Sequence, residues 1–556
     1  MNEIAERFLT HRVENQPPPL PPYDAWLTDR PLRDALVREG GGWAEEQLAA
    51  FGPVVGGELM MLGVAANENK PRFVPFDRYG HRIDAVRFDP AYHAILSLGI
   101  RHEVPSFAWR NASRRGAHVA RAALAYLHNQ PEQGNNCPLT MTYASVAALR
   151  RQGGLADAWI ERILSTEYDP RDLPAWHKTG NTIGMGMTEK QGGSDVRANT
   201  TRATPIEAPG QARLYALVGH KWLFSAPMCD GFLVLAQADA GLSCFLLPRF
   251  APDGSRNAIR LQRLKDKLGD WSNASSEVEF QGAAAWLIGE EGRGVATILD
   301  MVALTRLDCT IGSAAIMRQA LVQALHHTMH RRAFGKRLVD QALMRNVLAD
   351  LALESEASMA LALRVARAVD DAQHDPQAAP LARLITAIGK YAVCKRCAPF
   401  VNEAQECLGG AGYVEESMLP RLYRQAPLNS IWEGSGNVQC LDVLRTLDRE
   451  PASPEAFLGE IDRAAPLHPL LREERRRLGD LLATAPAERE ALARVLVERM
   501  AVALQAAVLL LGAPEFVADA FCRARLGGRD HRCFGTLPAG APFGALIDRA
   551  WPDAVV

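Results

Sequence analysis

The chain has 556 residues, of which 48 % are hydrophobic and 23 % charged, and its net charge at pH 7 is −2. This length predicts roughly three to four structural units, because one compact core seldom grows so large. We find no apolar run near the ~18 residues that cross a bilayer, so we expect no membrane-spanning segment. The near-zero net charge excludes a general attraction to nucleic acid and leaves only a local basic patch as a route to it.

The ten cysteines are spread along the whole chain rather than clustered at short spacings. This distribution is typical of a reducing compartment and unlike a disulfide scaffold. The N-terminal segment has acidic residues and a proline cluster at 17–22 where a secretory signal needs an apolar stretch. We therefore expect a cytoplasmic protein.

The first unit, residues 1–183, is predicted to be mainly helical. Apolar residues recur three or four positions apart, as in the stretch 117–124. Residues 184–290 instead contain short β-branched and aromatic runs bounded by glycine, proline and asparagine. These runs, at 215–219, 231–236, 243–248 and 276–280, predict a β unit of sandwich or barrel type.

Long amphipathic segments return after Gly294 and predict a four-helix bundle over residues 291–447. A proline- and charge-rich break at 448–454 then separates the bundle from a last helical unit, residues 448–556. The predicted class is a multidomain α+β protein.

A glycine-rich segment, GMGMTEKQGGSD at 184–195, opens the β unit. It is not a dinucleotide fingerprint, because Glu189 stands where G-x-G-x-x-G needs its third glycine and no strand–turn–helix context surrounds it. Its backbone N–H groups and hydroxyls would suit close approach to a flat heterocycle or a pyrophosphate. The alternative interpretation is a strand that leads into a tight turn.

This segment resembles the M-T-E-x-x-x-G-S-D motif of the acyl-CoA dehydrogenase family. A second motif, GHKWLFS at 219–225, resembles the family's G-x-K-x-[aromatic]-[aliphatic]-[Thr/Ser], although Leu223 stands where an aromatic residue usually packs on the flavin. In the bundle, HRRAFGK at 330–336 resembles R-x-x-F-G-K, and LGGAGY at 408–413 resembles the loop that holds the adenylate portion of the cofactor. These likenesses extend from about residue 184 to residue 447 in the family's order.

The resemblance implies FAD as cofactor and the acyl-CoA dehydrogenase fold: a helical N-terminal domain, a middle β-barrel or sandwich, and a four-helix bundle, here with an extra C-terminal helical domain. In that family the bundle's arginine and phenylalanine reach the FAD of a neighbouring subunit, which implies a homo-oligomer, in this case a tetramer. The residues implied to contact the cofactor are Met185, Met187, Thr188, Gly193, Ser194, Leu223, Phe224, Ser225, Arg331, Phe334, Gln341, Gly409, Gly410, Trp432, Gly434 and Asn437.

The candidate catalytic base is Glu433, in the segment IWEGSGN at 431–437, which resembles the family's Y-E-G-T loop. Removal of the α-proton of a thioester needs a carboxylate held over the substrate in a dry pocket, which raises its basicity. Some relatives, isovaleryl-CoA dehydrogenase among them, place this glutamate one residue before an arginine that matches Arg306. Here the preceding residue is Thr305, which cannot serve as a base. We therefore predict Glu433 and Arg306 as the catalytic residues, with a surface turn as the alternative for Glu433.

The segments at 185–195, 263–269 and 429–437, and the long extension after the bundle, resemble a narrower subgroup of the family. That subgroup is tied to the bacterial response to alkylating agents, and its extension binds duplex DNA. The extension here has fourteen arginines against sixteen acidic residues, so it is no basic tail. The candidate phosphate contacts are Arg523, Arg525, Arg529 and Arg532, with 472–477 as a second cluster; the alternative for both is a solvated face.

Two functions from different classes follow. The first is an FAD-containing, DNA-binding protein that limits alkylation damage, binds duplex DNA without sequence preference, and has weak, isovaleryl-CoA-like dehydrogenase activity. The second is a metabolic enzyme that oxidises a short or branched acyl-CoA and has no role on DNA. The presence of Glu433 and Arg306 is consistent with this second function, so both functions remain open at this point.

No metal site is predicted. The C-x-x-C at 394–397 lies in a helical run without a second pair at zinc-ligand spacing, and His326, His327 and His330 lack the glutamate of H-E-x-x-H.

Overall fold

The computed structural model describes residues 8–206, 213–527 and 533–551. The N-terminal unit is helical, and its helices begin where the sequence supplies caps. Asp29, for example, accepts a hydrogen bond from the Leu32 N–H and Pro31 occupies the first turn of the first helix. The helices are α1 (Arg30–Arg38), α2 (Glu45–Gly56), α3 (Glu58–Glu68), α4 (Pro90–Arg101), α5 (Phe107–Arg110), α6 (Ala117–Asn129), α7 (Asn136–Leu149) and α8 (Leu155–Ile163).

A β-hairpin interrupts this helical unit and was not predicted from the sequence. Strands β1 (Arg72–Phe76) and β2 (Arg82–Arg87) pair antiparallel. The Asp77 side chain closes the turn between them by accepting hydrogen bonds from the N–H groups of Tyr79 and His81.

The middle unit is a β domain, as predicted. Its strands are β3 (Ile183–Gly186), β4 (Arg202–Pro205), β5 (Leu214–Ser225), β6 (Gly231–Ala238), β7 (Gly241–Pro248), β8 (Ile259–Leu264) and β9 (Ser275–Ile288). The strands β6, β4, β5, β9 and β7 follow one another in the sheet, and β7 pairs again with β6, so this circuit closes as in a barrel. Strand β3 joins it parallel to β6, and β8 joins it along β9.

Long helices form the bundle that follows. They are α9 (Gly294–His330), α10 (Ala342–His374), α11 (Ala379–Leu408), α12 (Leu419–Gln425) and α13 (Gly436–Arg449), with a small hairpin of β10 (Arg332–Ala333) and β11 (Lys336–Arg337) between α9 and α10. The middle of α9 is buried on nearly every face, because α7, α10 and α11 all pack against it. The bundle is therefore the centre of the molecule.

The C-terminal extension is helical, as predicted. It comprises α14 (Ala452–Ala464), α15 (Pro469–Leu482), α16 (Pro486–Ala491), α17 (Ala493–Gly512), α18 (Glu515–Arg525) and α19 (Phe543–Ala550). Helix α17 is long and apolar enough to cross a membrane, but 61 % of its most apolar window is buried inside the protein. It packs against α10, α11, α14 and α15, so its apolar character is that of a core helix.

Candidate active site

The predicted base, Glu433, lies in a loop between a 3₁₀ turn at Leu428–Ser430 and the start of α13. Its φ is 58°, in the left-handed region that a glutamate seldom adopts, and Gly434 follows with a φ of 98°. A non-glycine residue keeps such a conformation only where the surrounding contacts hold it.

Those contacts come from three side chains that donate to the carbonyl oxygens of residues 432–434. Lys390 Nζ lies 2.9 Å from the oxygen of Trp432 and 2.5 Å from that of Gly434. Arg306 Nε and Gln439 Nε2 both donate to the carbonyl oxygen at 433, at 3.1 Å and 3.0 Å. The loop is therefore fixed from α9, α11 and α13 together.

The Glu433 carboxyl itself accepts a hydrogen bond of 2.8 Å from the Thr305 hydroxyl. Burial raises the pKa of Glu433, and the hydrogen bond from Thr305 and the charges of Arg306 and Lys390 offset only part of that effect. A carboxylate with a raised pKa is a stronger base, as α-proton removal requires.

Arg306 stands behind this loop. Besides its bond to the carbonyl oxygen of Glu433, its Nη1 lies 2.6 Å from Asp442, which Arg383 also contacts. Burial would raise the pKa of Asp442, but the hydrogen bond from Arg383 and the charge of Arg306 hold it below the ordinary value. Because its guanidinium is committed to these partners, we assign Arg306 to positioning Glu433.

The two β-domain motifs lie side by side. The Trp222 N–H donates to the Thr188 oxygen at 2.8 Å, and a Cβ at Gly186 would overlap the ring of Phe224. The neighbouring side chains of Met185, Met187, Thr188 and Ser225 are half-buried, and Leu223, Gly193 and Ser194 are exposed. The strand ends thus present an apolar surface with hydroxyl groups beside it.

Phe224 corrects one sequence prediction. Its side chain is fully buried and packs against Phe232 and Phe280 inside the barrel, so its ring cannot cover a cofactor on the outer surface. The register between β5 and β9 shifts between Lys221 and Phe224. This irregularity leaves two consecutive residues, Trp222 and Leu223, exposed and turns the next one inward.

Glu189 has a structural task in the first motif. Its carboxylate is buried and forms an ion pair of 2.7 Å with the buried Lys221, and it accepts hydrogen bonds from the N–H groups of Thr200 and Thr201. The residue that breaks the dinucleotide fingerprint therefore anchors the loop at 188–201.

The hairpin β10–β11 carries the bundle motif. Phe334 and Gly335 form its turn with φ values of 51° and 78°, and the Phe334 side chain is 99 % exposed. Gln341 donates to the Ala333 oxygen at 2.9 Å, and Arg331 donates to the oxygen of Asn15. Gln341 and Arg331 thus brace a hairpin whose aromatic tip projects into solvent.

The remaining predicted contacts lie near the ends of helices. Gly409, with a φ of 61°, and Gly410 follow α11 and have open space where a Cβ would be. Trp432 is half-buried, and its indole N–H donates to Asn429 at 2.9 Å. Asn437 accepts a 2.9 Å hydrogen bond from Arg494 of α17, which ties the start of α13 to the C-terminal extension.

A chain of contacts joins the β domain to the base loop. The Ala226 N–H, next to the second motif, donates to the oxygen of Ala274, and the Asp270 N–H donates to the Gln425 side chain of α12. The loop at 269–274 therefore spans from the strand ends to the helix that precedes Glu433.

The arginines predicted to contact DNA differ in their exposure. Arg525 is largely buried, with 11 % of its side chain exposed, and its Nη2 forms ion pairs of 2.5 Å with Asp350 and 2.9 Å with Glu354, so the prediction that it contacts DNA is wrong. Arg523 is exposed and pairs with Asp519. Arg529 and Arg532 lie outside the described residues.

The second arginine cluster is paired with acidic residues. Arg475 contacts Asp462, and Arg476 and Arg477 both contact Glu473. A phosphate would have to compete with these carboxylates, so the cluster at 472–477 is a less favourable anion site than its sequence indicates.

The C-x-x-C cysteines are buried thiols whose Sγ atoms contact the oxygens of Cys309 and Ser313. Within the described part of the chain, no group of three or more His, Cys, Asp or Glu side chains is arranged to hold a metal ion.

Comparison with known proteins defines the class. Residues 184–283 match the acyl-CoA dehydrogenase middle domain and residues 292–447 match the acyl-CoA dehydrogenase C-terminal domain. Among solved structures, Caenorhabditis elegans ACDH-11 in complex with C11-CoA superposes with a TM-score of 0.84 at 27 % identity, over 94 % of this chain and 95 % of that one. The protein Bd2924, in its apo form, superposes at 0.82 and 29 % identity, over 90 % and 99 % of the two chains. The fold is that of an FAD-dependent acyl-CoA dehydrogenase.

The subgroup follows from the N-terminal unit and from the sequence relatives. Residues 15–170 match the N-terminal domain of the adaptive response protein AidB. The putative acyl-CoA dehydrogenase AidB of Escherichia coli is 51 % identical over 445 residues, which cover 80 % of this chain and 81 % of that protein. Acyl-CoA dehydrogenase family member 11 of C. elegans is 32 % identical over 76 % of this chain and 70 % of its own length. The chain belongs to the AidB group of the acyl-CoA dehydrogenase family, as its motifs predict.

Sequence reasoning missed the residues that hold the base. Thr305 was considered only as a base that had been lost, whereas its hydroxyl binds the Glu433 carboxyl. Lys390 and Gln439 lie in helical segments, where the hydrophobic period predicts which residues are buried but not which groups their side chains contact. A lysine on a buried helix face was the one available signal, because lysine is almost never buried without a partner.

Proposed function

We propose that this protein binds FAD, retains an acyl-CoA dehydrogenase centre of low activity, and associates with duplex DNA to limit alkylation damage. The observation that carries the enzymatic part is the Glu433 loop, where a carboxyl with a raised pKa is held in a strained conformation by Arg306, Lys390 and Gln439. The similarity to AidB supports the DNA part.

The residues fit FAD. Met185, Met187 and Leu223 offer an apolar surface for a flat ring, and the Thr188 and Ser225 hydroxyls beside them can hydrogen-bond its polar edge. Phe334, 99 % exposed on its hairpin, is an aromatic side chain that a second chain or the cofactor would cover. We propose that the hairpin reaches the cofactor of a neighbouring subunit in a homotetramer.

Glu433 would remove the α-proton of a bound acyl-CoA thioester. Its raised pKa favours proton uptake, and Thr305 keeps the carboxylate oriented through one of its oxygens. Arg306 and Lys390 fix the loop by its carbonyl groups, so the carboxylate need not reorganise when the proton moves. Bound FAD would supply the acceptor for the hydride that leaves the β-carbon.

Dye reduction by the FAD-loaded protein tests the enzymatic part. Short and branched acyl-CoA substrates are expected to give slow turnover that disappears in Glu433→Gln. Turnover that persists undiminished in this variant would overturn the assignment of the base.

The DNA part rests on the likeness to AidB and on Arg523, whose side chain is 63 % exposed. A protein that contacts backbone phosphates without reading bases binds less tightly as salt rises and shows little sequence preference. The net charge of −2 does not attract DNA to the protein as a whole, so DNA must bind through a local basic surface. We propose that Arg523, Arg529 and Arg532 provide this surface.

The proposed DNA binding can be tested by gel-shift titration. The titration uses duplexes of two unrelated sequences over a range of salt concentrations. We expect equal affinity for both duplexes, a steep loss with salt, and weaker binding in Arg523→Ala but not in Arg476→Ala. Arg476 is a matched control, since it is also 63 % exposed and ion-paired. Affinity that ignores ionic strength would refute the proposal.

A metabolic acyl-CoA dehydrogenase without a DNA role is the second candidate. The intact Glu433 site favours it, as do the similarity to C. elegans family member 11 and the fold shared with ACDH-11, which was solved in complex with C11-CoA. Fast turnover without duplex binding in the two assays above would select this candidate.

A further inference from the structure

An open cavity of about 390 Å³ lies where the N-terminal unit, the bundle and the C-terminal extension meet. We call it the junction cavity. It lies outside the predicted flavin and base sites, since none of its lining residues belongs to the motifs described above. The lining comes from α1, α10, α14 and α17: Arg38, Glu39, Arg364, Arg367, Asp371, Glu460, Arg463, Ala507, Val508 and Leu511.

Four arginines face three carboxylates in this lining, so the cavity has an excess of positive charge. Arg364 and Arg463 share Glu460 at 2.9 Å and 2.8 Å, and Arg367 pairs with Asp371 at 2.9 Å. These carboxylates orient the guanidinium groups but leave donor capacity, since a guanidinium has five N–H donors.

Two of those donors have no hydrogen-bond partner among the described residues. They are Nη2 of Arg38 and Nη1 of Arg364; both atoms are buried, so a ligand in the cavity reaches them only when the guanidinium groups turn toward it. A buried charged donor without an acceptor is costly, so such groups in native structures call for an acceptor that completes them. An oxyanion with two or more oxygens is the acceptor that guanidinium groups match best.

Glycines make room for the arginines. At Gly512, where α17 ends, a Cβ would overlap the Cδ of Arg38, and at Gly40 a Cβ would lie 2.5 Å from Nη1 of Arg367. The apolar part of the lining consists of Ala507, Val508 and Leu511 of α17. The lining therefore combines cationic and apolar groups.

We infer that the junction cavity binds a small organic anion, with a carboxylate or phosphate head at Arg38 and Arg364 and a short apolar body against α17. Its volume is in the range of ligand pockets, about 300–1,000 Å³, and exceeds what an inorganic ion fills. A ligand here touches three units at once, so it stabilises the docking of the C-terminal extension.

Calorimetric titration of the FAD-loaded protein with hexanoate, hexyl phosphate and hexanol, at constant ionic strength, tests the inference. At least one of the two anions is expected to bind and to raise the melting temperature, while the neutral alcohol does neither. The comparison of the two anions identifies the preferred head group. Binding of hexanol as tight as that of the anions, or binding of none of the three, would overturn the inference.

Variants of the lining residues test whether the anion binds in the junction cavity. Arg364→Gln removes a donor, and Leu511→Trp fills the apolar side without breaking an ion pair; each is expected to weaken anion binding at least about tenfold. Leu511 is 45 % exposed, so this second variant should fold even if the first does not. Arg476→Gln, outside the cavity, and Glu433→Gln, in the candidate active site, should bind as the unmodified protein does. Binding that survives Leu511→Trp would place the anion elsewhere.

Discussion

Glu433 combines two unfavourable features, a left-handed backbone and a carboxyl whose pKa burial raises. Conformations of this kind cost on the order of 1–3 kcal/mol and persist where other contacts over-determine them. The donors from Arg306, Lys390 and Gln439 supply such contacts. Their convergence on one residue is the structural reason for placing the chemistry there.

Replacement of Glu433 by glutamine tests its role as base. The amide keeps the size of the side chain but cannot take a proton, so the rate of acyl-CoA dehydrogenation should fall by about 10²- to 10⁴-fold. FAD content and melting temperature show whether the fold is intact. Glu416→Gln, an exposed control seventeen residues earlier in the chain, should leave the rate unchanged; a fall equal to that of Glu433→Gln would contradict the assignment.

Thr305→Val tests how the pKa of Glu433 is set. The Thr305 hydrogen bond lowers this pKa, so its loss should raise it further. The ionised, active form would then appear only at higher pH, and the acid limb of the kcat/KM profile should move upward by up to about one pH unit. A downward shift, or none, would show that the hydroxyl does not act on the carboxylate.

Individual residues also show which parts of the site could be predicted from the sequence and which could not. Glu433 could be predicted because a family motif fixes it. Arg525 was misassigned, since a count of arginines does not reveal that Asp350 and Glu354 bury it. Phe224 was misassigned because the family motif names consecutive residues of β5, whereas Phe224 lies on the opposite face of the strand from the exposed Leu223.

Among the elements, α11 has the largest part in holding the base loop. Its Lys390 is 1 % exposed and donates to the carbonyl oxygens of Trp432 and Gly434. The helix thereby fixes a loop more than forty residues further along the chain.

Lys390→Met should remove these bonds while filling the same space. We expect kcat to fall at least about tenfold through misplacement of Glu433, with little change in KM, and Lys390→Arg to restore part of it. Lys395→Met, on the exposed side of α11, is the control. Equal losses in both methionine variants would mean that the effect is only structural.

The sequence predicted the character of most elements but missed the hairpin of β1 and β2. The bundle helices have long apolar periods, and the barrel strands have clear runs. Residues 72–87 have neither, because Pro75 interrupts β1, Asp84 interrupts β2 and the half-buried pattern is weak. The hairpin owes its place partly to a distant contact, from Arg82 to the oxygen of Leu261 in β8.

At the scale of the whole molecule, largely buried arginines attach the C-terminal extension to acidic residues of α10. Arg525 of α18 pairs with Asp350 and Glu354, and Arg549 of α19 pairs with Glu356 at 2.9 Å. Some of the arginines that suggested a nucleic-acid-binding surface in this extension therefore form ion pairs inside the protein and are not available to phosphate groups.

Arg525→Ala and Arg523→Ala separate the two roles. The first leaves buried Asp350 without its ion-pair partner and should lower the free energy of unfolding by about 3–5 kcal/mol. The second removes an exposed pair and should cost at most about 1 kcal/mol. Chemical denaturation measures both; similar small losses would show that Arg525 is not a docking residue.

The absorption spectrum of the purified protein tests the central claim most directly, because every role assigned to the β-domain motifs and to Glu433 presupposes a bound flavin. We expect a yellow protein whose visible bands correspond to about one FAD per chain, and whose bands bleach when an acyl-CoA is added without oxygen. A protein that stays colourless after incubation with FAD would contradict the account.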